Sequence, residues 1–150
     1  MKKTILFVGF AALLAACGKD KFQTVPQVEI KSLSPKNTVL GDVIVLTANV
    51  TDKEGDVQDS ALFCRKKISL ANFVVQTDTI RKSLKELGIP FAQEYQLNLS
   101  LKYGQKVNEY EYQPNSDGVD RKLTLGVIVR DKAGNRSTYV ESDTIILKKI

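Results

Sequence analysis

The stretch EYQLNLSLKY, residues 94–103, alternates without a break: Tyr95, Leu97, Leu99, Leu101 and Tyr103 fall on one side, Gln96, Asn98, Ser100 and Lys102 on the other. A period of two over this length belongs to an extended strand with one face buried and one wetted. A helix would scatter the same leucines around its surface. An apolar face of this kind needs a second layer against it. The pattern recurs on both sides. In VIVLTANVT, residues 43–51, Ile44, Leu46, Ala48 and Val50 share a face, with Val43 and Val45 partly covered on the other. In residues 121–131, Leu123, Leu125, Val127 and Val129 face inward.

Further out, Val28, Ile30 and Leu33 mark a first strand that ends at Pro35, because proline has no N–H for a ladder. Residues 60–67 and 73–79 read as two more strands, and 138–148 closes the fold. Turns are marked by Asp52-Lys53-Glu54-Gly55-Asp56 and by Lys132-Ala133-Gly134-Asn135, and residues 104–120 form a long polar connection. Ile80, Leu84 and Leu87 have helical spacing and are stopped by Gly88 and Pro90, so one or two helical turns are expected over 80–88. About seven strands with almost no helix predict an all-β fold, a single antiparallel β-sandwich over residues 25–150.

Composition sets the outer limits. Of 150 residues, 43% are apolar and 26% charged, as in an ordinary globular chain. The net charge of +5 falls to +3 once Lys2 and Lys3 are set aside, and the cations are scattered apart from Arg65-Lys66-Lys67, Arg81-Lys82 and Lys148-Lys149. These short runs read as solvated strand edges and ends, and the balance predicts no nucleic-acid partner. The chain has no histidine, which excludes Ser-His-Asp and Cys-His catalysis and imidazole-held zinc. Nothing marks a carboxylate pair across a cleft, so no catalytic residue is assigned and no enzyme is expected.

The first seventeen residues, MKKTILFVGFAALLAAC, carry a positive start at Lys2 and Lys3, an uncharged apolar run over 4–14, and Leu14-Ala15-Ala16-Cys17. That layout is a secretory signal, too short to remain as a membrane span. It closely resembles a bacterial lipoprotein leader, whose LAAC lipobox is cut before the cysteine. The resemblance implies a signal peptide over 1–16, acylation of Cys17 and a lipidated tether over 17–24, with the membrane as a partner through that anchor. Several buried acyl chains hold far more firmly than one. Gly18 stands where an aspartate resembles an inner-membrane retention signal in enterobacteria, which implies the outer membrane. Cys64, in the apolar run Ala61-Leu62-Phe63-Cys64, is then the sole remaining thiol and is expected to be buried and inert.

A second resemblance lies in LGDVIVLTANVTDKEGDVQDS, residues 40–60, and LTLGVIVRDKAGNRSTYVESDTI, residues 123–145. Both look like segments of bacterial immunoglobulin-like or fibronectin-III-like domains, the second with the F–G hairpin pattern D-x-A-G-N-x-S. This resemblance implies an immunoglobulin-like sandwich with adhesion, spacing or binding roles. It also implies that the B–C and F–G loops share one end. Asp52, Glu54 and Asp56 would then approach Asp131 and Asn135, an oxygen-rich set of the kind calcium takes. Lys53, Lys132 and Arg136 lie among these acids, and plain turn chemistry is the competing account. Tyr110 and Tyr112, in the long connection, are candidates for stacking on a glycan or a partner, with packing as the alternative. Asp59-Ser60-Ala61, Asp78-Thr79-Ile80 and Asp143-Thr144-Ile145 resemble short O-glycosylation sites known in Bacteroidetes. The expected function is a non-catalytic envelope lipoprotein that binds another envelope protein; the alternative is calcium or glycan binding at the loop end. No cofactor other than calcium is suggested.

Overall fold

The computed structural model describes residues 23–57, 61–88, 91–104 and 118–149, and these residues form two packed β-sheets with no helix. The strands are β1 (Gln27–Ser34), β2 (Asn37–Thr38), β3 (Val43–Thr51), β4 (Ala61–Leu70), β5 (Phe73–Ser83), β6 (Glu94–Lys102), β7 (Arg121–Val129), β8 (Val140–Glu141) and β9 (Ile145–Leu147). The smaller sheet has the order β1-β3-β6; the larger has β2-β9-β7-β4-β5, with β8 also paired to β7. Every pair is antiparallel except the short parallel pair of β2 with β9. The fold is an all-β, immunoglobulin-like sandwich.

The alternating faces meet in the middle. Ile44, Leu46, Ala48 and Val50 of β3 and Leu97, Leu99 and Leu101 of β6 are buried against Leu62, Ile68, Leu123, Leu125, Val127 and Val129 of β4 and β7. Each sheet thereby dries the other's apolar face, the arrangement that packs sheets about 10 Å apart. In β1 the inward set changes parity, from Val28 and Ile30 to Leu33. A register shift between Ile30 and Ser32 accounts for it, since one extra residue turns the following side chains to the other face.

Among the described residues nine strands stand in place of the seven expected, because the first and last segments each divide. After Pro35 the chain leaves the smaller sheet and joins the larger as β2. The closing segment breaks at Ser142, whose Oγ accepts from the Leu125 N–H at 3.0 Å, so a hydroxyl stands in for a ladder carbonyl. The helical turns expected over residues 80–88 do not form. Strand β5 runs through Ser83, and a turn follows in which the Gly88 N–H donates to the Lys85 carbonyl. Leu84 and Leu87 keep their spacing because both pack on the core from this turn, Leu84 fully buried. Strands β4 and β5 run three and four residues longer than their expected ends at Lys67 and Thr79, as one hairpin whose strands support each other along their length.

Candidate functional site

The B–C loop after β3 and the F–G loop after β7 do share one end of the sandwich. Leu62 pairs with Val129, and the Arg130 N–H donates to the Ala61 carbonyl at 3.0 Å. The acids there serve their own turns. Asp52 is fully buried, and its Oδ2 accepts from the N–H groups of Gly55 at 2.9 Å and Asp56 at 3.3 Å. Asp131 is buried too. Its Oδ1 accepts from the Asn135 N–H and its Oδ2 from the Asn135 side-chain amide, both at 2.7 Å.

The D-x-A-G-N-x-S pattern is therefore legible residue by residue as a hairpin. Asp131 closes it at both oxygens, and Gly134 supplies the left-handed φ of 96° that the turn needs. Ser137 finishes it by accepting from the Val129 N–H at 3.0 Å. Glu54 is exposed and Asp56 half-exposed. Among the described residues, no three carboxylate, histidine or cysteine side chains gather where they could hold a metal ion. The loop end thus brings Asp52, Glu54 and Asp56 into one turn, and Asp131 and Asn135 into another, without merging them into one ligand shell. Cys17, Asp59, Tyr110 and Tyr112 lie outside the described residues.

Beneath the B–C turn, Asp52 Oδ1 and the Tyr95 hydroxyl are both buried with no hydrogen-bond partner among the described residues. Burial raises the Asp52 carboxyl above the ordinary aspartate range, against the lowering effect of the Asp56 and Gly55 N–H groups. Burial likewise holds the Tyr95 hydroxyl up, and the neighbouring Asp52 charge adds to it. An acid whose folded pKa is raised binds its proton more tightly when folded. Its penalty is therefore absent below the unfolded value and sets in as pH rises through the folded one. Asp52→Asn keeps an acceptor for the turn and removes that penalty. Relative to the wild type, the Asn variant should gain stability between about pH 3 and pH 7, read from urea unfolding at both. An unchanged difference across that interval would show that this carboxyl is not raised.

Cys64 is buried, and burial pushes its thiol up to about 11, with Lys66 acting in the opposite sense. It lines a cavity of about 10 Å³ with Ile80, Leu99, Leu101 and Leu125. That is no more room than a single water needs. A thiol this protonated and enclosed is a poor nucleophile.

The arrangement that sequence reading missed lies on the outer face of the larger sheet. Strand alternation splits the run Arg65-Lys66-Lys67. Lys66 turns inward and meets Asp78 at 3.1 Å, while Arg65 and Lys67 point outward. Register then sets Arg81 beside Phe63, itself beside Ile128, and places Arg65 beside Gly126 and Lys67 beside Thr124. Arg136 joins this face through its bridge to Arg130.

Two rings organise the cations. The Arg81 and Arg136 guanidinium carbons stand 5.9 and 5.5 Å from the Phe63 ring centre, and Arg65 and the Lys67 Nζ stand 5.2 and 5.4 Å from that of Tyr139. Tyr139 lies across Gly126 so closely that a Cβ there would be 2.1 Å from its hydroxyl oxygen. Glu141 binds Lys67 at 2.6 Å and accepts from Tyr139 and Thr124. Burial works to raise the Glu141 carboxyl, but these hydrogen bonds outweigh it and bring it below the ordinary range. The signal was present in the sequence as Arg65 and Lys67 two apart on a strand, with Arg81 across a hairpin. Reading the basic runs as linear clusters hid it.

No protein-family model matches the chain, and no curated protein matches it. Among solved structures, the sporulation control protein Spo0M from Bacillus subtilis aligns over 84% of this chain and 50% of its own, at 9% identity and a TM-score of 0.43. The CARDB domain of a Pyrococcus furiosus protein, in complex with di-metal ions, aligns over 86% of this chain and 91% of its own at 14% identity and a TM-score of 0.32. The major pilin subunit BcpA of Bacillus cereus aligns over 83% and 40%, at 10% identity and a TM-score of 0.34. The chain spans half the length of Spo0M and less of the pilin. Likenesses this distant name no family.

Proposed function

We propose that this chain is a lipid-anchored, non-catalytic module of the bacterial envelope, most plainly of the outer membrane, that binds another envelope component through its sandwich. The carrying observation is where the chain enters the domain. The Lys53 N–H donates to the Gln23 carbonyl at 3.0 Å, so the tether meets the sandwich beside the B–C turn. Five residues lie between Cys17 and Gln23, six Cα steps with a reach of at most about 20 Å. An acylated Cys17 would hold the B–C and F–G loops toward the bilayer. The sheet faces and the opposite end, where Phe73, Val74, Val39, Leu40 and Val43 are exposed, would point away from it. The absence of histidine and the inert setting of Cys64 support a binding role over a catalytic one. Calcium at the loop end is disfavoured, because the Asp131 oxygens and Asp52 Oδ2 already serve the turns.

Cys17→Ser tests the anchor in the native host. The expected result is transfer from the membrane to the soluble fraction, with loss of the acyl mass. A variant that stays membrane-bound at the wild-type mass would refute the lipoprotein reading. Crosslinking in intact cells tests the binding role, with a reproducible envelope partner expected.

A further inference from the structure

We propose that the outer face of the larger sheet is a docking surface for an acidic polysaccharide, with Arg65, Arg81 and Arg136 binding carboxylates along the polymer. All three side chains are exposed, and none is paired with a carboxylate among the described residues. The acid on this face, Glu141, is already engaged by Lys67, Tyr139 and Thr124. The guanidinium groups rest over Phe63 and Tyr139, so less side-chain freedom is lost when a ligand arrives. A planar guanidinium presents a fork of donors that matches a carboxylate, and three on one sheet face suit a repeating anion.

The rest of the face favours a hydrated polymer over a protein. Thr77 and Thr79 are exposed between the cations, whereas Phe63 and Ile128 are half-buried. The large exposed apolar side chains of this sheet sit at its far edge, at Phe73, Val74 and Val75. A protein interface would centre on such anchors, and the arginine cluster does not. Along the strands the cluster begins near the loop end where the tether enters, with Arg136 in the F–G hairpin and Arg81 opposite Phe63, and extends up β4 to Arg65. On a membrane the sheet face stands upright beside the tether, open to surface polymer, and the vesicle arm of the test separates polymer from headgroups. That orientation rests on the anchor proposed above; the arginine geometry does not.

The test is titration of the purified full chain in detergent with polygalacturonate, with dextran as the neutral control. Binding to the acidic polymer alone is expected, weakening as salt rises. The triple variant Arg65→Gln, Arg81→Gln, Arg136→Gln should lose about tenfold or more in affinity. Lys53→Gln, Lys85→Gln, Lys149→Gln removes the same charge elsewhere and should stay within about twofold of wild type. Melting curves matching the wild type establish that both triples are folded. Equal losses in the two triples would reduce the effect to net charge and overturn the proposal. So would no binding to polygalacturonate, binding to phosphatidylglycerol vesicles instead, or an acidic protein crosslinked to this face. Polymer binding by a chain whose Cys17→Ser form stays on the membrane would sustain this proposal while the anchor fails.

Discussion

Leu46→Ala is expected to lower stability by about 2–5 kcal/mol, a large part of the roughly 5–15 kcal/mol that holds a domain of this size folded. Leu46 is fully buried at the centre of β3, directly between Leu33 of β1 and Leu99 of β6. Strands hydrogen-bonded on both sides of β3 keep its backbone from collapsing into the space left behind. The opposing sheet is held equally firmly by β4 and β7. The loss is therefore transfer free energy plus a cavity that stays open. Leu46→Met, which conserves volume, should cost under about 1.5 kcal/mol. Urea unfolding with an unchanged slope reads both. If alanine cost no more than methionine, the two sheets would not close over Leu46 as described.

Tyr103→Ala should rank with it, at about 3–5 kcal/mol. Tyr103 is 2% exposed and clasps the two sheets together from the end of β6. Its hydroxyl donates to the Lys148 carbonyl at 2.7 Å, just past β9 in the larger sheet. Its N–H donates to the Asp42 carbonyl at 2.9 Å and its carbonyl accepts from the Gly41 N–H at 2.8 Å, which fixes the approach to β3. Alanine loses the ring and the clasp together. Tyr103→Phe loses only the hydroxyl and should cost about 1 kcal/mol. A phenylalanine variant as stable as wild type would mean the clasp contributes nothing and the ring alone matters.

Much of the core was legible because a strand buried on one face writes its orientation into every second residue. Tyr95 through Tyr103, Ile44 through Val50 and Leu123 through Val129 all take the side their alternation assigned. The pattern failed where periodicity is ambiguous over a few residues. Leu84 and Leu87 looked helical, yet a turn can bury two leucines at that spacing as well as a helix can. It also failed where a side chain replaces backbone in the ladder, as Ser142 does, because nothing local announces the break between β8 and β9.

The candidate sites divide in the same way. Asp52 and Asp131 stood out as acids in loops, but a turn that needs an acceptor and a site that needs a ligand use the same residue types. Only the distances to Gly55, Asp56 and Asn135 assign these carboxylates to the turns.

By itself, the sequence determined the all-β class, the identity of the buried faces and the lack of any histidine chemistry, since periodicity and composition are local quantities. It also carries the lipobox resemblance at Cys17. Only the tertiary structure decided that Arg65, Arg81 and Arg136 share one face around two rings. These residues come from three separate segments, and it is hairpin register and sheet order, set by long-range pairing and not by any run of neighbours, that bring their side chains together.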